Sequence, residues 1–317
     1  MTVLVCGLPG DATTTSVRDA LDVLGVPCLF LDQRQVLDTT VELRVGAAVD
    51  GVLRTGRTVL PLSEISAAYL RPYDGTRVPA VRDAEPGSPR WRHAREVDDT
   101  LATWSDLTPA LVISRPGAAA GNGSKPAQLR DIAACGFAVP KTLVTNDPAA
   151  VGRFLAAEGP LVFKSTSAVR SRVRRLEGAD DHGVRLAGVT ACPTQFQARV
   201  PGTDVRVHVV GAEVFATRIT SEADDYRYAV RQGLPRAELD ETELPDEVAE
   251  RCRRLATRLG LPVAGVDLRR TPSGEWFCFE VNPSPAFSYY EAGTGQPIAA
   301  AVAGLLAAAV TCAQVPR

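Results

Sequence analysis

Hydrophobic positions near the start of the chain follow a strand–helix–strand pattern. The run TVLVC (2–6) is continuously apolar, which is typical of a buried strand. In TTTSVRDALDVLG (13–25), Val17 and Leu21 recur at helical spacing, and PCLFLD (27–32) is a second apolar run. This β-α-β opening predicts a parallel sheet with a right-handed crossover connection.

Two glycine- and proline-rich stretches divide the chain. Residues 75–95 are rich in Arg, Pro and Gly, which favours a long loop after a strand in ISAAYLRPY (65–73). Glycine, alanine and proline cluster again in SRPGAAAGNGSKP (114–126), which indicates a domain boundary. Beyond it, PLVFK (160–164) is a clear strand that ends at Lys164. The residues before the boundary are therefore expected to form an α/β domain.

The later part of the chain has the alternation that is typical of antiparallel sheet. VRVHVVGAEVFATRI (205–219) alternates around Gly211 and Ala212, which predicts a hairpin. PDEVAERCRRLATRLG (245–260) places its apolar residues on one stripe and ends at Gly260, which predicts an amphipathic helix. The C-terminal part is therefore expected to be α+β.

A second predicted hairpin brings two carboxylates together. GVDLRR (265–270) and EWFCFEVN (275–282) flank TPSG, a good turn sequence. If the turn is centred on Ser273 and Gly274, Asp267 lies directly opposite Glu280, and opposed residues share one face of the sheet. The side chains then divide into a polar and an apolar face, with Asp267, Glu280 and Asn282 on the first and Val266, Leu268, Phe279 and Val281 on the second.

Opposed carboxylates repel each other, and a divalent cation removes that cost. Three oxygen ligands without histidine or cysteine suit Mg²⁺ or Mn²⁺ rather than zinc. The alternative is a solvated sheet edge at which both acids point to water, and a register slip of one residue would separate them. From spacing alone, both interpretations stay open.

Composition narrows the class of protein. The net charge of −2, from 35 basic and 37 acidic residues, gives no broad electropositive field, which argues against nucleic acid as a partner. The seven cysteines form no C-x-x-C pair, which argues against zinc and disulfides and favours a reducing compartment. No signal-peptide pattern opens the chain, and the alanine-rich run 297–314 favours a buried helix over a membrane span. We therefore expect a cytoplasmic protein without a membrane partner.

Five further stretches resemble, in order, motifs of the RimK-like carboxylate–amine ligases of the ATP-grasp superfamily. The resemblance covers roughly residues 110–317 well and the first domain only in outline. Any one motif is weak, whereas the order of all five is specific. The stretches are SKPAQLRDIAACGFAVPKTLVTND (124–147), PLVFK (160–164), TQFQARVPGTDVRVHVVG (194–211), DDYRYA (224–229) and the pair GVDL and FEVNP of the second hairpin.

The resemblance implies the ATP-grasp fold, with domains at 1–113 (N-terminal, parallel sheet), 114–194 (small central) and 195–317 (C-terminal, antiparallel sheet with the metal site). It also implies ATP and Mg²⁺ as cofactors, with Mn²⁺ as an alternative. The implied site residues are Lys125 and Lys164 at the nucleotide, Gln197, Ala198, Arg199, Val200 and Asp204 in the hinge region that holds adenine, Arg206 and Arg227 in catalysis, and Asp267, Glu280 and Asn282 at the metal.

Two departures from the family pattern affect the nucleotide site. Ala198 and Arg199 occupy hinge positions where an acid and an aromatic residue are usual, although hinge contacts to adenine are largely made by the backbone. The loop after Lys164 is small and basic rather than glycine-rich. No Walker A sequence occurs in the chain, so the resemblance carries the nucleotide prediction.

The resemblance implies that a carboxylate attacks the γ-phosphate of ATP to give an acyl phosphate and ADP, after which an amine displaces phosphate. Amino acids or small peptides are the expected substrates, and a homo-oligomer is left open. An alternative is a maturase or macrocyclase of a ribosomally made peptide, because LPLSEISAAYLRPYD (60–74) is reminiscent of such enzymes. A second alternative is a non-catalytic nucleotide-binding protein. Tyr69 and Arg71 are candidates to face the cleft from the first domain, with burial in the core as the other interpretation.

Overall fold

The computed structural model describes residues 1–120, 124–166, 174–176, 188–222, 226 and 233–314 of the 317-residue chain. Its first part is built around a parallel sheet of order β2-β1-β6-β7, beside which lies an antiparallel sheet of order β3-β4-β5. The elements in chain order are β1 (Thr2–Gly7), α1 (Ala12–Val23), β2 (Cys28–Asp32), β3 (Thr39–Val45), β4 (Val49–Thr55), β5 (Thr58–Pro61), β6 (Ile65–Leu70), α2 (Pro89–Leu107) and β7 (Leu111–Ile113).

The predicted parallel β-α-β unit is confirmed, because β1 pairs in parallel with both β2 and β6. The loop prediction for residues 75–95 was wrong from residue 89 onward, where α2 begins. Ser88 caps this helix, its hydroxyl accepting from the amide of Trp91, and Pro89 occupies the first turn. A serine before a proline is a strong helix start, and it outweighs the abundance of glycine and proline around it.

A four-stranded antiparallel sheet of order β10-β9-β11-β8 forms the central part. Phe163 and Phe196 stack within the core on one face of this sheet, with ring centroids 5.9 Å apart. The last strand of this sheet in chain order, β11, runs from Thr194 to Ala198. The sheet therefore extends past residue 194, where the central domain was expected to end. The elements are α3 (Pro116–Ala120), α4 (Lys125–Ala134), β8 (Thr142–Thr145), α5 (Pro148–Glu158), β9 (Leu161–Ser165), β10 (Arg174–Leu176) and β11 (Thr194–Ala198).

A five-stranded antiparallel sheet of order β14-β13-β12-β15-β16 follows. Its two predicted hairpins, β12–β13 and β15–β16, are both confirmed. The elements are β12 (Thr203–Val210), β13 (Glu213–Thr220), β14 (Glu238–Thr242), α6 (Asp246–Arg258), β15 (Val263–Arg270), β16 (Trp276–Asn282), α7 (Ser288–Thr294) and α8 (Ile298–Gln314). Short 3₁₀ turns lie at Gln33–Asp38, Leu62–Glu64, Gly75–Arg77 and Gly188–Ala191.

Two helices link parts of the fold that are distant in sequence. Helix α4 packs beside α6 on the C-terminal sheet, where Ile132 shares a core with Cys252 and Val266. Helix α8 packs on the N-terminal parallel sheet, where Val302 shares a core with Val3. The predicted helix over the alanine-rich run is therefore confirmed; its face toward this sheet is buried, whereas Ala300, Gly304 and Ala308 are exposed. Among the described residues, none of the helices combines the length and apolarity that a membrane span requires.

Candidate active site

The β15–β16 hairpin opposes Asp267 and Glu280, as predicted, but by a different route. Near the turn, Arg270 pairs with Trp276, one residue out of the predicted register. A bulge at Phe279 then shifts the register by one, so that Asp267 pairs with Glu280. A bulge adds one unpaired residue to a strand, and here it restores the pairing that the turn alone would have missed.

The bulge also changes which side chain enters the core. Cys278, rather than Phe279, is fully buried on the apolar face beside Val266, Leu268 and Val281. Phe279 is only half-buried, and the Arg269 guanidinium lies 5.2 Å from its ring centroid. The prediction that Phe279 belongs to the apolar face was therefore wrong.

Two buried lysines converge on the Glu280 carboxylate. Lys125 Nζ lies 3.1 Å and Lys164 Nζ 3.4 Å from Glu280 Oε2, and the two lysines are only 7 % and 8 % exposed. Burial lowers the pKa of Lys164; the Glu280 charge opposes this shift, and the Lys125 charge adds to it. Lys125 begins α4, Lys164 lies on β9 of the central sheet, and Glu280 lies on β16. The structure therefore brings together three of the predicted site residues from separate elements.

A residue that the sequence analysis missed, Gln128, fixes the position of Lys125. Its side-chain amide donates to the carbonyl of Val281 at 2.9 Å and accepts from the amide of Val281 at 2.8 Å. Strand β16 is an edge strand of its sheet, so the outward backbone groups of Val281 have no strand partner, and Gln128 takes that place. The double hydrogen bond attaches α4 to β16 one residue from Glu280.

We expect Gln128→Leu to weaken nucleotide binding by about tenfold, because it releases the helix that begins at Lys125 and leaves two buried backbone groups unpaired. Isothermal titration with ADP and Mg²⁺ measures the loss. Gln128→Glu is the matched control, since it can still accept from Val281 but cannot donate, and it should fall between the wild type and the leucine variant. Equal affinity for all three would contradict the positioning role.

Arg206 neutralises the second carboxylate of the pair. It lies opposite Asp267 on the neighbouring strand β12, with Nη1 2.5 Å from Asp267 Oδ1. Burial acts to lower the pKa of Arg206, but the Asp267 charge, the Tyr290 and Tyr226 hydroxyls and the hydrogen bond to Asp267 together hold the pKa above its usual range. The guanidinium lies over Gly265, where a Cβ atom would be 2.0 Å from Arg206 Nη2. Only glycine at this position leaves room for the arginine.

Buried aromatic residues surround the other side of Arg206. His208 Nε2 lies 3.5 Å from Arg206 Nε and accepts from it, which requires a neutral imidazole. Burial and then the Arg206 charge lower the pKa of His208 well below its ordinary value, in agreement with that assignment. The ring of Tyr290 lies 5.7 Å from the guanidinium, and its hydroxyl is 2.6 Å from that of Tyr226. This packing holds the Arg206 guanidinium at Asp267.

Asn282 lies at the end of β16, where its side-chain oxygen accepts from the amide of Ser284 at 3.0 Å. Arg71 holds the same loop from the N-terminal part, donating to Ser284 Oγ at 3.2 Å and to the carbonyl of Pro285 at 3.1 Å. It also pairs with Asp11 at 3.1 Å. Arg71 therefore faces the loop that follows β16, whereas the other candidate of the first domain, Tyr69, lies in the core.

The predicted hinge residues lie at the end of β11, which includes Gln197 and Ala198, and in the connection to β12 that follows it. The amide of Ala198 donates to the carbonyl of Lys141, and that of Arg199 to the carbonyl of Pro160, both at 2.9 Å. The Arg199 side chain is exposed, while Gln197 is buried and donates to Thr142 Oγ1 at 3.0 Å. Nucleotide contacts of this segment remain a prediction.

Asp204 is engaged by another side chain of the protein. Arg269 donates to both of its carboxylate oxygens, at 2.7 and 2.9 Å, and to the carbonyl of Val200 at 2.8 Å. Asp204 thus holds the hinge through Arg269, an arrangement that a nucleotide contact would have to share. Arg227 lies outside the described residues.

The donor set fits a hard divalent cation. Asp267 and Glu280 are directly opposed, and each carboxylate faces a cationic side chain that offsets its charge. Asn282 lies two residues beyond Glu280 on β16, and its amide oxygen is the third predicted ligand. Oxygen donors of this kind suit Mg²⁺. Among the described residues, no group of three or more His, Cys, Asp or Glu side chains is arranged to hold a metal ion. Two carboxylates and an amide match an ion that completes its shell with phosphate oxygens and water.

The profile of the RimK-like ATP-grasp domain family matches residues 184–306, which include the hinge, Arg206 and all three predicted metal ligands. This protein carries a RimK-like ATP-grasp domain. A curated relative of this ATP-grasp protein is a probable alpha-L-glutamate ligase of Xanthomonas oryzae pv. oryzae, 34 % identical over 145 residues, or 45 % of each chain. The chain spans about half the length of the curated relatives it matches.

Solved structures cover nearly the whole ATP-grasp chain. The ATP-grasp ligase PsnB, complexed with a phosphomimetic variant of its minimal precursor, Mg and ADP, has a TM-score of 0.81 and 27 % identity over 97 % of this chain and 98 % of its own. The macrocyclase MdnC of Microcystis aeruginosa, bound with precursor peptide MdnA, has a TM-score of 0.79 and 24 % identity over 96 % and 99 %. The predicted ATP-grasp fold is therefore confirmed.

Proposed function

We propose that this protein is an ATP-dependent, ADP-forming ligase that joins a carboxylate to an amine, with amino acids or small peptides as substrates. The observation that carries the proposal is the convergence of Lys125 and Lys164 on Glu280, directly opposite an Asp267 that is held by Arg206. Cations from a helix and two sheets meet two carboxylates at one place, as a site for a metal nucleotide requires.

The first step of this reaction brings two anions together. The substrate carboxylate attacks the γ-phosphorus, and the bond from that phosphorus to the β-phosphate oxygen breaks. The products of this step are an acyl phosphate and ADP. Lys125 and Lys164 offset phosphate charge, and Arg206 offers a planar donor fork to the transferred phosphoryl group. Magnesium, when bound, supplies further positive charge at the phosphates. An amine then attacks the carbonyl carbon, phosphate leaves, and the amine proton passes to solvent.

A second candidate function is the modification of a ribosomally made peptide. It is favoured by the likeness to the ligase PsnB, which is complexed with a variant of its minimal precursor and matches 97 % of this chain and 98 % of its own at 27 % identity. Both candidates share the proposed chemistry and differ in the substrate. A non-catalytic nucleotide-binding protein is the remaining alternative.

The test is to incubate the protein with ATP, Mg²⁺ and either pooled amino acids or peptides that carry Asp, Glu and Lys side chains. We expect ADP and phosphate to be released above the background measured without acceptors. Leaving out one component of the pool at a time then identifies the carboxylate and the amine, because release stops when either is missing. A peptide product lighter by one water per amide formed would favour the second candidate. Release of AMP and pyrophosphate would contradict the acyl-phosphate route, and nucleotide binding without turnover in any pool would favour the non-catalytic alternative.

A further inference from the structure

Gln195 shares the face of the central sheet that looks onto the candidate active site. It lies on β11 directly opposite Lys164 on β9, and opposed residues in an antiparallel pair share a face. Lys164 reaches Glu280 from this face, while the neighbouring Phe196 points into the core on the other. Gln195 therefore lies beside a lysine of the proposed nucleotide site.

The amide of Gln195 has no hydrogen-bond partner in the described part of the chain. The residue is 1 % exposed, and both its Oε1 and its Nε2 are buried and unpaired. Gln197, two residues along the same face, is equally buried but donates to Thr142. Native proteins rarely leave both ends of a buried amide unpaired, because each loses its hydrogen bonds to water without replacement.

The chemistry of an amide restricts what can satisfy it. Gln195 offers one acceptor and two donors, so its partner must present a donor beside an acceptor. A phosphate presents acceptors only and would leave Oε1 unpaired. The N6 amino group and N7 of adenine present the required donor and acceptor, and a glutamine amide pairs with both. The corresponding edge of guanine presents two acceptors, O6 and N7, which the amide cannot match.

We propose that Gln195 pairs with the adenine base of the bound nucleotide and is a determinant of specificity for adenine over guanine. The proposal rests on the proposed function, since it requires ATP as the nucleotide. It also explains why an amide without a partner is kept in a buried position, since the bound nucleotide would supply the missing hydrogen bonds. A residue of this kind lowers the stability of the free protein in return for recognition.

The experiment compares wild type with Gln195→Met, which keeps the length of the side chain and removes the amide. Isothermal titration in the presence of Mg²⁺ gives the affinities for ADP, GDP and 2′-deoxy-ADP without turnover. We expect the variant to bind ADP and 2′-deoxy-ADP about tenfold more weakly than wild type, and GDP nearly unchanged, because one bidentate contact to the base is lost.

Melting temperature without nucleotide gives an independent readout. Gln195→Met should raise it by about 2 °C or more, because it removes buried groups that have no partner, whereas Gln197→Met should lower it, because that amide is bonded. Wild-type affinity for ADP in the Gln195→Met variant would overturn the inference while leaving the proposed function intact. A defect seen with ADP but absent with 2′-deoxy-ADP would overturn it in favour of a ribose contact. A wild-type protein that binds none of the nucleotides would overturn both proposals.

Discussion

Replacing Glu280 by glutamine is expected to lower ligase turnover by on the order of 100-fold or more, since it removes a charged group from the centre of the site. The side chain keeps its size but loses the negative charge that Lys125 and Lys164 face at 3.1 and 3.4 Å. An amide is also a poorer ligand for Mg²⁺ than a carboxylate, so the Mg²⁺ concentration for half-maximal activity should rise. ADP release across a Mg²⁺ titration measures both effects.

The control for this substitution is Glu275→Gln. Glu275 immediately precedes the same strand but is exposed, so its replacement should leave turnover and Mg²⁺ dependence unchanged. Circular dichroism establishes that the Glu280 variant is folded, since two buried lysines lose their counter-charge. A folded Glu280→Gln protein with wild-type turnover and Mg²⁺ dependence would remove Glu280 from the metal site.

The Glu280→Gln variant should also differ from wild type in how its affinity for ADP depends on pH in the alkaline range. Burial lowers the pKa of Lys164, while the Glu280 charge raises it. Loss of that charge lowers the pKa of Lys164 further. As the pH is raised, the lysine of the variant therefore loses its proton at a lower pH than the lysine of wild type. ADP affinity of the variant should therefore begin to fall at a lower pH than that of wild type. If ADP affinity fell at the same pH in both proteins, titration of Lys164 would not be the cause of the fall.

Local pattern was sufficient for much of the site. The strand–turn–strand sequence around TPSG predicted that Asp267 and Glu280 oppose each other, and the structure bears this out. The bulge at Phe279 could not be predicted, because it depends on how Cys278 fits the core against α4 and α6. The correct pairing was thus obtained from an incorrect turn register.

The residues that the sequence analysis missed act across the fold. Gln128 is three residues beyond Lys125, but its partner Val281 is 153 residues away. Gly265 resembles an ordinary strand glycine until Arg206 is placed over it. A polar residue within an apolar alternation was a usable signal for both Gln195 and His208. It identifies a buried polar group, but the partner of that group depends on tertiary packing.

Replacing Arg206 by methionine should reduce both stability and turnover. The substitution leaves the Asp267 carboxylate directly opposite Glu280 without its cation. It also removes the hydrogen bond that His208 accepts from Arg206 and puts an apolar side chain in its place. Loss of one partner of a buried ion pair costs about 3 kcal/mol of unfolding free energy. Urea unfolding measures this loss. Arg218→Met is the matched control, because Arg218 on the adjacent strand forms an exposed pair with Asp240 and its loss should cost less than about 1 kcal/mol.

A double variant separates the structural from the catalytic role of Arg206. Asp267→Asn in the Arg206→Met background removes the uncompensated charge, so it should recover most of the lost unfolding free energy. Turnover should not recover, because neither the guanidinium nor the carboxylate proposed to bind the metal is present. Arg206→Lys should keep much of the stability but little activity, since an ammonium lacks the planar fork that spans a phosphoryl group. If the lysine variant or the double variant turned over ATP at the wild-type rate, the role of Arg206 would be confined to neutralising Asp267.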